Sequence, residues 1–91
     1  MGNATEQEVM MQANNALLDK MIDRLDLKND AALSRVLQLA PPVISKLRHG
    51  RLPFGAAHQI RAHEVTGWSI AEIKEILGVP SLQRYRLEKI A

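Results

Sequence analysis

The segment from Asp30 to Arg51, DAALSRVLQLAPPVISKLRHGR, places the strongest constraint on what this chain can fold into. Its large apolar residues recur at the three- and four-residue spacings of amphipathic helices. They fall at Leu33, Leu37, Leu39, Ile44 and Leu47. The pattern predicts one helix over residues 30–37 and a second over about 41–49, with a tight turn at 38–39. Two short helices joined by such a turn form a helix-turn-helix.

The residues at the predicted helix ends agree with this reading. Asn29 is a credible N-cap for the first helix, and Gly50 ends the second. Pro41 and Pro42 fit the start of the second helix, because the first amides of a helix have no intrahelical acceptor and proline supplies the required backbone angle.

A helical wheel of residues 41–49 separates two faces. Ile44 and Leu47 point inward. The outward positions are Pro42, Ser45, Lys46 and His49, with Val43 at the margin. Second helices of this kind enter the major groove of DNA. Ser45 and Lys46 are then best placed to read base edges, and lysine prefers the acceptors of guanine.

The two prolines and the flanking cations fit other parts of a duplex. The proline edge cannot donate hydrogen bonds but suits a thymine methyl group. Arg51 directly follows Gly50, where a backbone phosphate would pass. We also expect Arg35 and His49 to contact phosphates.

Charge is unevenly distributed along the chain. Residues 1–30 contain three basic and six acidic side chains, whereas residues 31–91 contain nine basic and four acidic ones. No acid lies between Asp30 and Glu64, an interval that holds all three histidines. Such a segment is typical of a polyanion binder, and the alternative is a solvated basic face.

A long first helix is predicted from a capping box at Thr5 and Glu8 to about Leu25. Its apolar stripe is widened by Met10, Met11, Leu18 and Ile22. The extra width indicates either contact with a second subunit or an oversized core face with a frayed start. Asn14 and Asn15 are weak helix formers, so residues 1–15 are treated as an N-terminal helical extension.

Two further helices follow the basic segment. One is predicted over residues 55–66, with Phe54 buried beneath the preceding loop and Gly67 at its end. Its packing residues are predicted to be Ala56, Ala57, Ile60 and Val65. Ser69 and Glu72 form a second capping box for a helix through Leu77. Trp68 is expected in the core or at a subunit contact.

The C-terminal segment 79–91 resumes a helical pattern, with Leu82, Tyr85 and Ile90 toward one side. It is too short to be stable alone, so it either docks or frays. Docking on a second subunit would make it a dimerisation segment.

Composition excludes several classes of protein. The chain has 91 residues and no cysteine, which allows one small domain and neither disulfides nor a zinc finger. The apolar runs are too short to span a membrane, and the acidic start is unlike a signal peptide, so we expect a cytoplasmic, nucleoid-associated protein. There is no phosphate-binding glycine loop, metal-ligand spacing or activated nucleophile. We expect no enzyme activity, cofactor, metal or small-molecule substrate.

Residues 17–78 resemble the helix-turn-helix domain of the lambda repressor and Cro type, the XRE family of transcriptional regulators. The resemblance rests on Leu33, Leu37, Leu39, Ile44, Leu47, residues 49–51 and the segment TGWSIAEI at 66–73. It implies an all-α, five-helix domain over residues 16–78, to which this chain adds the long N-terminal helix and the short C-terminal helical tail.

The resemblance also implies roles for single residues. It assigns base contacts to Pro41, Pro42 and Lys46, with Ser45 beside them, and we add Val43 from its place at the margin of the outward face. It assigns phosphate contacts to the start of the first motif helix and to Arg51; because an acid at residue 30 would repel phosphate, that first contact shifts to Asn29.

Several positions depart from the family pattern. Gln38 stands where a small residue is usual, which implies a less relaxed turn, and Ala40 replaces the usual hydroxyl cap. The usual pair of an arginine on the first helix and a glutamate on the third has its signs exchanged, as Asp23 and Arg48. Arg48 is therefore expected to be a structural partner of Asp23.

Two functions remain open from the sequence. The first is a sequence-specific regulator of transcription, a repressor of bacterial or phage type, that binds duplex DNA as a homodimer. The alternative is a protein-interaction adaptor of the same fold, such as an antitoxin-like partner or a regulator of another transcription factor.

Overall fold

Five α-helices form the part of the chain that the computed structural model describes, residues 5–78. They are α1 (Glu6–Arg24), α2 (Asp30–Leu37), α3 (Pro41–Arg48), α4 (Ala56–Thr66) and α5 (Ile70–Ile76). These residues contain no strand, which confirms the predicted all-α class for this part of the chain. The predicted C-terminal tail, residues 79–91, lies outside the described residues.

Helix α1 is continuous and follows the predicted bounds closely. The Thr5 hydroxyl accepts a hydrogen bond from the Glu8 amide at 3.1 Å, and the Glu8 carboxylate accepts one from the Thr5 amide at 2.9 Å. This is the predicted capping box. The helix then passes without a break through Asn14 and Asn15, so the residues from Glu6 onward belong to one element that packs on α3.

The turn between α2 and α3 has the strained residue that the sequence predicts. Gln38 ends α2 with a φ of +56°, in the left-handed region where glycine is favoured. Arg61 on α4 holds this turn, since its Nη1 donates to the Leu37 carbonyl at 3.0 Å and to the Gln38 Oε1 at 2.8 Å. Hydrogen bonds from a third helix therefore hold Gln38 in a backbone conformation that a glycine at this position would adopt without strain.

The core lies where all five helices meet. Its buried apolar residues are Leu17, Leu18, Met21, Leu33, Leu37, Ile44, Leu47, Phe54, Ala62 and Ile73. Phe54 is buried as predicted, and the half-buried Trp68 packs against this core rather than standing free. The α2 and α3 residues are those expected from the helical pattern.

The predicted inner face of α4 was wrong at Ala56, Ala57 and Ile60, whereas Val65 is half-buried and packs against the core as predicted. Ile60 is 53% exposed, and Ala56 and Ala57 are also exposed. The helix instead buries Ala62 together with Gln59 and Thr66, two polar residues that hydrogen-bond to carbonyls of Phe54 and Ala62. These hydrogen bonds allow two polar residues to be buried. The buried face of α4 therefore lacks the run of apolar residues by which a sequence normally shows the inner face of a helix.

The two capping boxes should make the stability of the fold depend on pH. Hydrogen bonds from Thr5 lower the pKa of Glu8, and those from Ser69 lower the pKa of Glu72, below the ordinary value of 4.5. A pKa lowered by folding contributes stability above pH 4.5 that is lost as the pH falls through the folded-state value. The double variant Glu8→Gln, Glu72→Gln should show a flatter stability profile below pH 4.5 in urea unfolding. An unchanged profile would contradict this assignment.

Candidate nucleic-acid interface

Helix α3 separates its residues into a buried and an exposed side. Ile44 and Leu47 are fully packed, while the other side consists of exposed positions and the half-buried Val43. The exposed residues are Pro41, Pro42, Ser45, Lys46 and His49, all of them sequence-predicted site residues. Ala40 precedes the helix without a side-chain cap, as its sequence implies. The described structure thus leaves one continuous side of α3 available to a partner.

The predicted phosphate-contacting residues outside α3 are exposed and belong to the same segment of the chain as α2 and α3. Arg35 lies on α2, Asn29 precedes α2 and Arg51 follows α3. The Asn29 Oδ1 accepts the Ala32 amide at 2.9 Å, which confirms the predicted N-cap and leaves the side-chain amide group to face outward ligands. Their placement brings three donors around one short helical unit.

His49 is held in one orientation by its own helix. Its Nδ1 lies 2.7 Å from the carbonyl oxygen of Ser45. Since a carbonyl only accepts, Nδ1 carries the hydrogen and the neutral ring has an acceptor at Nε2. His49 can therefore donate to a phosphate only as the imidazolium form.

Arg48 is a structural residue, but its predicted partner was wrong. Its guanidinium contacts Asp19 at 2.7 Å, Asp30 at 2.8 Å and the Asn15 Oδ1 at 2.7 Å, and not Asp23. The hydrogen bonds that Arg48 donates to Asp30 raise the pKa of Arg48, burial lowers it, and the bond to Asp19 raises it further. The partner on α1 lies one helical turn earlier than expected, because the N-terminal half of α1 faces the end of α3.

This ion cluster changes the charge beside α2. Asp30, which would repel a phosphate if unpaired, accepts two hydrogen bonds from Arg48, at 2.8 and 3.0 Å. Lys46 and Arg51 have no place in that cluster, so their charges remain available on the exposed side. Arg48 therefore neutralises Asp30 next to the candidate interface, and Lys46 and Arg51 are the cations left to contact a ligand.

Side-chain amides of α1 bind the carboxyl end of α3. Asn14 Nδ2 donates to the carbonyls of Leu47 at 3.0 Å and Leu52 at 2.9 Å. Asn15 donates to the Arg48 carbonyl at 2.9 Å, and Gln7 donates to the His49 carbonyl at 3.0 Å. The last carbonyls of a helix have no hydrogen-bond donor within the helix. Here the successive carbonyls of Leu47, Arg48 and His49 accept hydrogen bonds from side chains of α1.

Sequence reasoning missed this amide cluster. It treated Asn14 and Asn15 as weak helix formers, although Asn14 is only 1% exposed. The available signal was an adjacent pair of amides in the middle of an apolar stripe, because a buried amide needs hydrogen-bond partners.

Gly50 allows α1 to come this close. Its φ is +69°, and a Cβ placed there would lie 2.5 Å from the Gln7 carbonyl oxygen and 2.9 Å from the Met11 Cβ. The predicted role of Gly50 as the end of α3 is correct, and the contact with α1 is a second reason for glycine at this position.

No protein-family model, curated protein or solved structure matches this chain. Within residues 5–78, no helix combines the length and apolar character that crossing a membrane requires.

Proposed function

We propose that the unit of α2, the turn and α3 is a helix-turn-helix of the lambda repressor and Cro type, and that the protein is a sequence-specific regulator of transcription. The observation that carries the proposal is the exposed side of α3, five residues that the core does not use. Its opposite side is anchored in the core and its end is fixed by α1. A rigid helix with one free face is what insertion into a major groove requires.

The exposed residues divide into two roles in this proposal. Lys46 and Ser45 read base edges, and Pro41, Pro42 and Val43 contact thymine methyl groups. Asn29, Arg35, Arg51 and protonated His49 bind phosphates. Phosphate contacts supply most of the affinity and the α3 face supplies the discrimination. In this proposal the bound protein represses transcription by blocking a promoter, in the cytoplasm and on the nucleoid.

A single α3 gives limited affinity, so the proposal includes a homodimer. Two copies of α3 would occupy half-sites about one DNA turn, ~34 Å, apart. A binding site selected from random duplexes should then show two related half-sites with that spacing. A lone half-site would support a monomeric binder.

One observation favours the adaptor alternative. Val9 on α1 is 54% exposed, and it belongs to an apolar surface that DNA binding does not use. A protein partner covering α1 would suit that surface. Salt separates the two functions, because DNA binding through several phosphates weakens steeply as salt rises.

The experiment that tests the proposal is selection of bound fragments from a random duplex library, followed by titration of the selected site at several salt concentrations. Enrichment of one motif and a steep decrease of affinity with salt are expected. Failure to retain any duplex at low salt would contradict DNA binding.

Lys46→Ala and Arg51→Ala should weaken binding in different ways. Lys46→Ala is expected to cost about 1–3 kcal/mol on the selected site and to relax the preference at one base position. Arg51→Ala should weaken binding to all sequences alike and reduce the salt slope by about 1. Fluorescence anisotropy on selected and scrambled duplexes measures both effects.

Lys20→Ala is the matched control for these variants. Lys20 lies on α1 beside Trp68 and Glu72, outside the α2 and α3 unit. Its replacement by alanine should therefore leave the affinity for DNA unchanged. Equal losses from Lys46→Ala and Arg51→Ala on every sequence would refute the division between base and phosphate contacts.

A further inference from the structure

An apolar groove lies between α1, the loop before α4 and the end of α5. Its volume is about 400 Å³, and its walls include Val9, Met10, Ala13, Pro53, Phe54 and Leu77. Val9 and Ile60 are the two large apolar side chains that are more than half exposed in the described residues. The groove is distinct from α3 and plays no part in the proposed DNA contacts.

The chain leaves the described structure at the edge of this groove. Leu77 forms part of the wall, and thirteen residues, 79–91, follow Gly78. Gly78 has a φ of +78°, and Pro80 comes two residues later. A left-handed glycine followed by proline is a typical helix end, and α5 ends at Ile76.

The chemistry of residues 79–91 complements the groove. Leu82, Tyr85 and Ile90 recur at helical spacing and would supply an apolar face. The segment has three basic residues, Arg84, Arg86 and Lys89, against one acid. Glu6 lies at the groove and offers the opposite charge.

The dimensions also agree. Residues 6–14 of α1 cover about 12 Å along the helix axis, and residues 82–90 in helical form would cover the same length. Three residues, 79–81, separate Gly78 from Leu82; a linker of this length spans at most about 10 Å and begins next to Leu77 in the groove wall. A segment tethered at the rim has an effective concentration in the millimolar range, which favours it over a free second copy.

From these observations we infer that residues 79–91 dock in the groove of their own chain. Leu82 and Tyr85 cover Val9 and Met10, and the basic residues lie toward Glu6. The segment thereby completes the domain by closing an apolar surface that the five described helices leave open. This docking is independent of the proposed DNA binding, and either can fail without the other.

Engineered disulfides test the docking in the full chain, which has no cysteine of its own. The test variant combines Val9→Cys with Gln83→Cys, and a second variant combines Val9→Cys with Ser81→Cys. The matched control combines Ile60→Cys with Gln83→Cys, because Ile60 is 53% exposed, nearly as much as Val9 at 54%, but does not line the groove. Oxidation is followed on non-reducing gels at several protein concentrations.

We expect at least one of the two Val9 variants to form an intramolecular disulfide, at least tenfold faster than the Ile60 control and at a rate independent of protein concentration. Glu6→Lys should slow that reaction several-fold. Equal rates of disulfide formation for the Val9 and Ile60 pairs would overturn the inference, because they would show that residues 79–91 have no preferred site on the domain. Disulfide-linked dimers that disappear on dilution would overturn it in favour of a second copy in the groove.

Discussion

Gly50→Ala is expected to lower the free energy of unfolding by about 2–5 kcal/mol. A left-handed backbone costs a residue with a Cβ about 1–2 kcal/mol, and forcing extra volume into a packed contact costs about 1–3 kcal/mol more. The new Cβ would lie 2.5 Å from the Gln7 carbonyl oxygen, a backbone atom that cannot rotate away. Helix α1 would have to shift from the end of α3, which would also stretch the bond from Gln7 to the His49 carbonyl.

Gly67→Ala separates the two contributions. Gly67 has a similar φ of +79°, but apart from its chain neighbours no atom of residues 5–78 lies within 4 Å of its Cβ position. This variant should lose only the backbone contribution, about 1–2 kcal/mol. Urea unfolding followed by the fluorescence of Trp68 measures both variants. Equal losses would show that the contact between Gly50 and α1 contributes nothing to stability.

Local signals in the sequence predicted the helix ends well. Asn29 caps α2, the two prolines open α3, and Gly50 and Gly67 adopt the left-handed conformation after a helix. Each of these depends on the backbone of the residue itself and its immediate neighbours. Such features can be predicted because local backbone preferences are enough to place them, even at Gly50, where the distant helix α1 adds a second requirement for glycine.

Contacts between helices were harder to predict. Arg48 was assigned to Asp23, but its partners are Asp19 and Asp30, because the pairing depends on how far α1 slides along α3. The face of α4 was misassigned for a related reason: Gln59 is buried by a bond to a backbone carbonyl, while Ile60 remains exposed. Apolar periodicity cannot report a helix face that is buried through polar groups.

The candidate site contains one feature that the sequence predicted and one that it did not. Exposure of Lys46 and Ser45 was predictable, since the wheel of α3 depends only on helical spacing. The support beneath them was not, because Asn14 and Asn15 bind backbone carbonyls more than thirty residues away. A carbonyl is present at every residue, so the sequence gives no indication of which one an amide will find.

Asn14→Leu is expected to lower the free energy of unfolding by about 1–3 kcal/mol, although leucine has the same branching as asparagine and is more apolar. The substitution removes a donor from the buried carbonyl of Leu47 and the part-buried carbonyl of Leu52, at a side chain that is 1% exposed. An unsatisfied buried polar group costs about 1–3 kcal/mol. The Leu47 carbonyl keeps the amide of Gly50 at 3.2 Å, so most of the loss arises at Leu52.

Gln12→Leu provides the control, because Gln12 lies on the exposed side of the same helix and its replacement should change stability by less than about 0.5 kcal/mol. Chemical denaturation of both variants gives the comparison. If Asn14→Leu were neutral or stabilising, the amide cluster would not be what holds α3 against α1. The expected loss would instead show that the hydrogen bonds from Asn14 help to attach α3 to α1, in addition to the apolar contacts of Ile44 and Leu47 in the core.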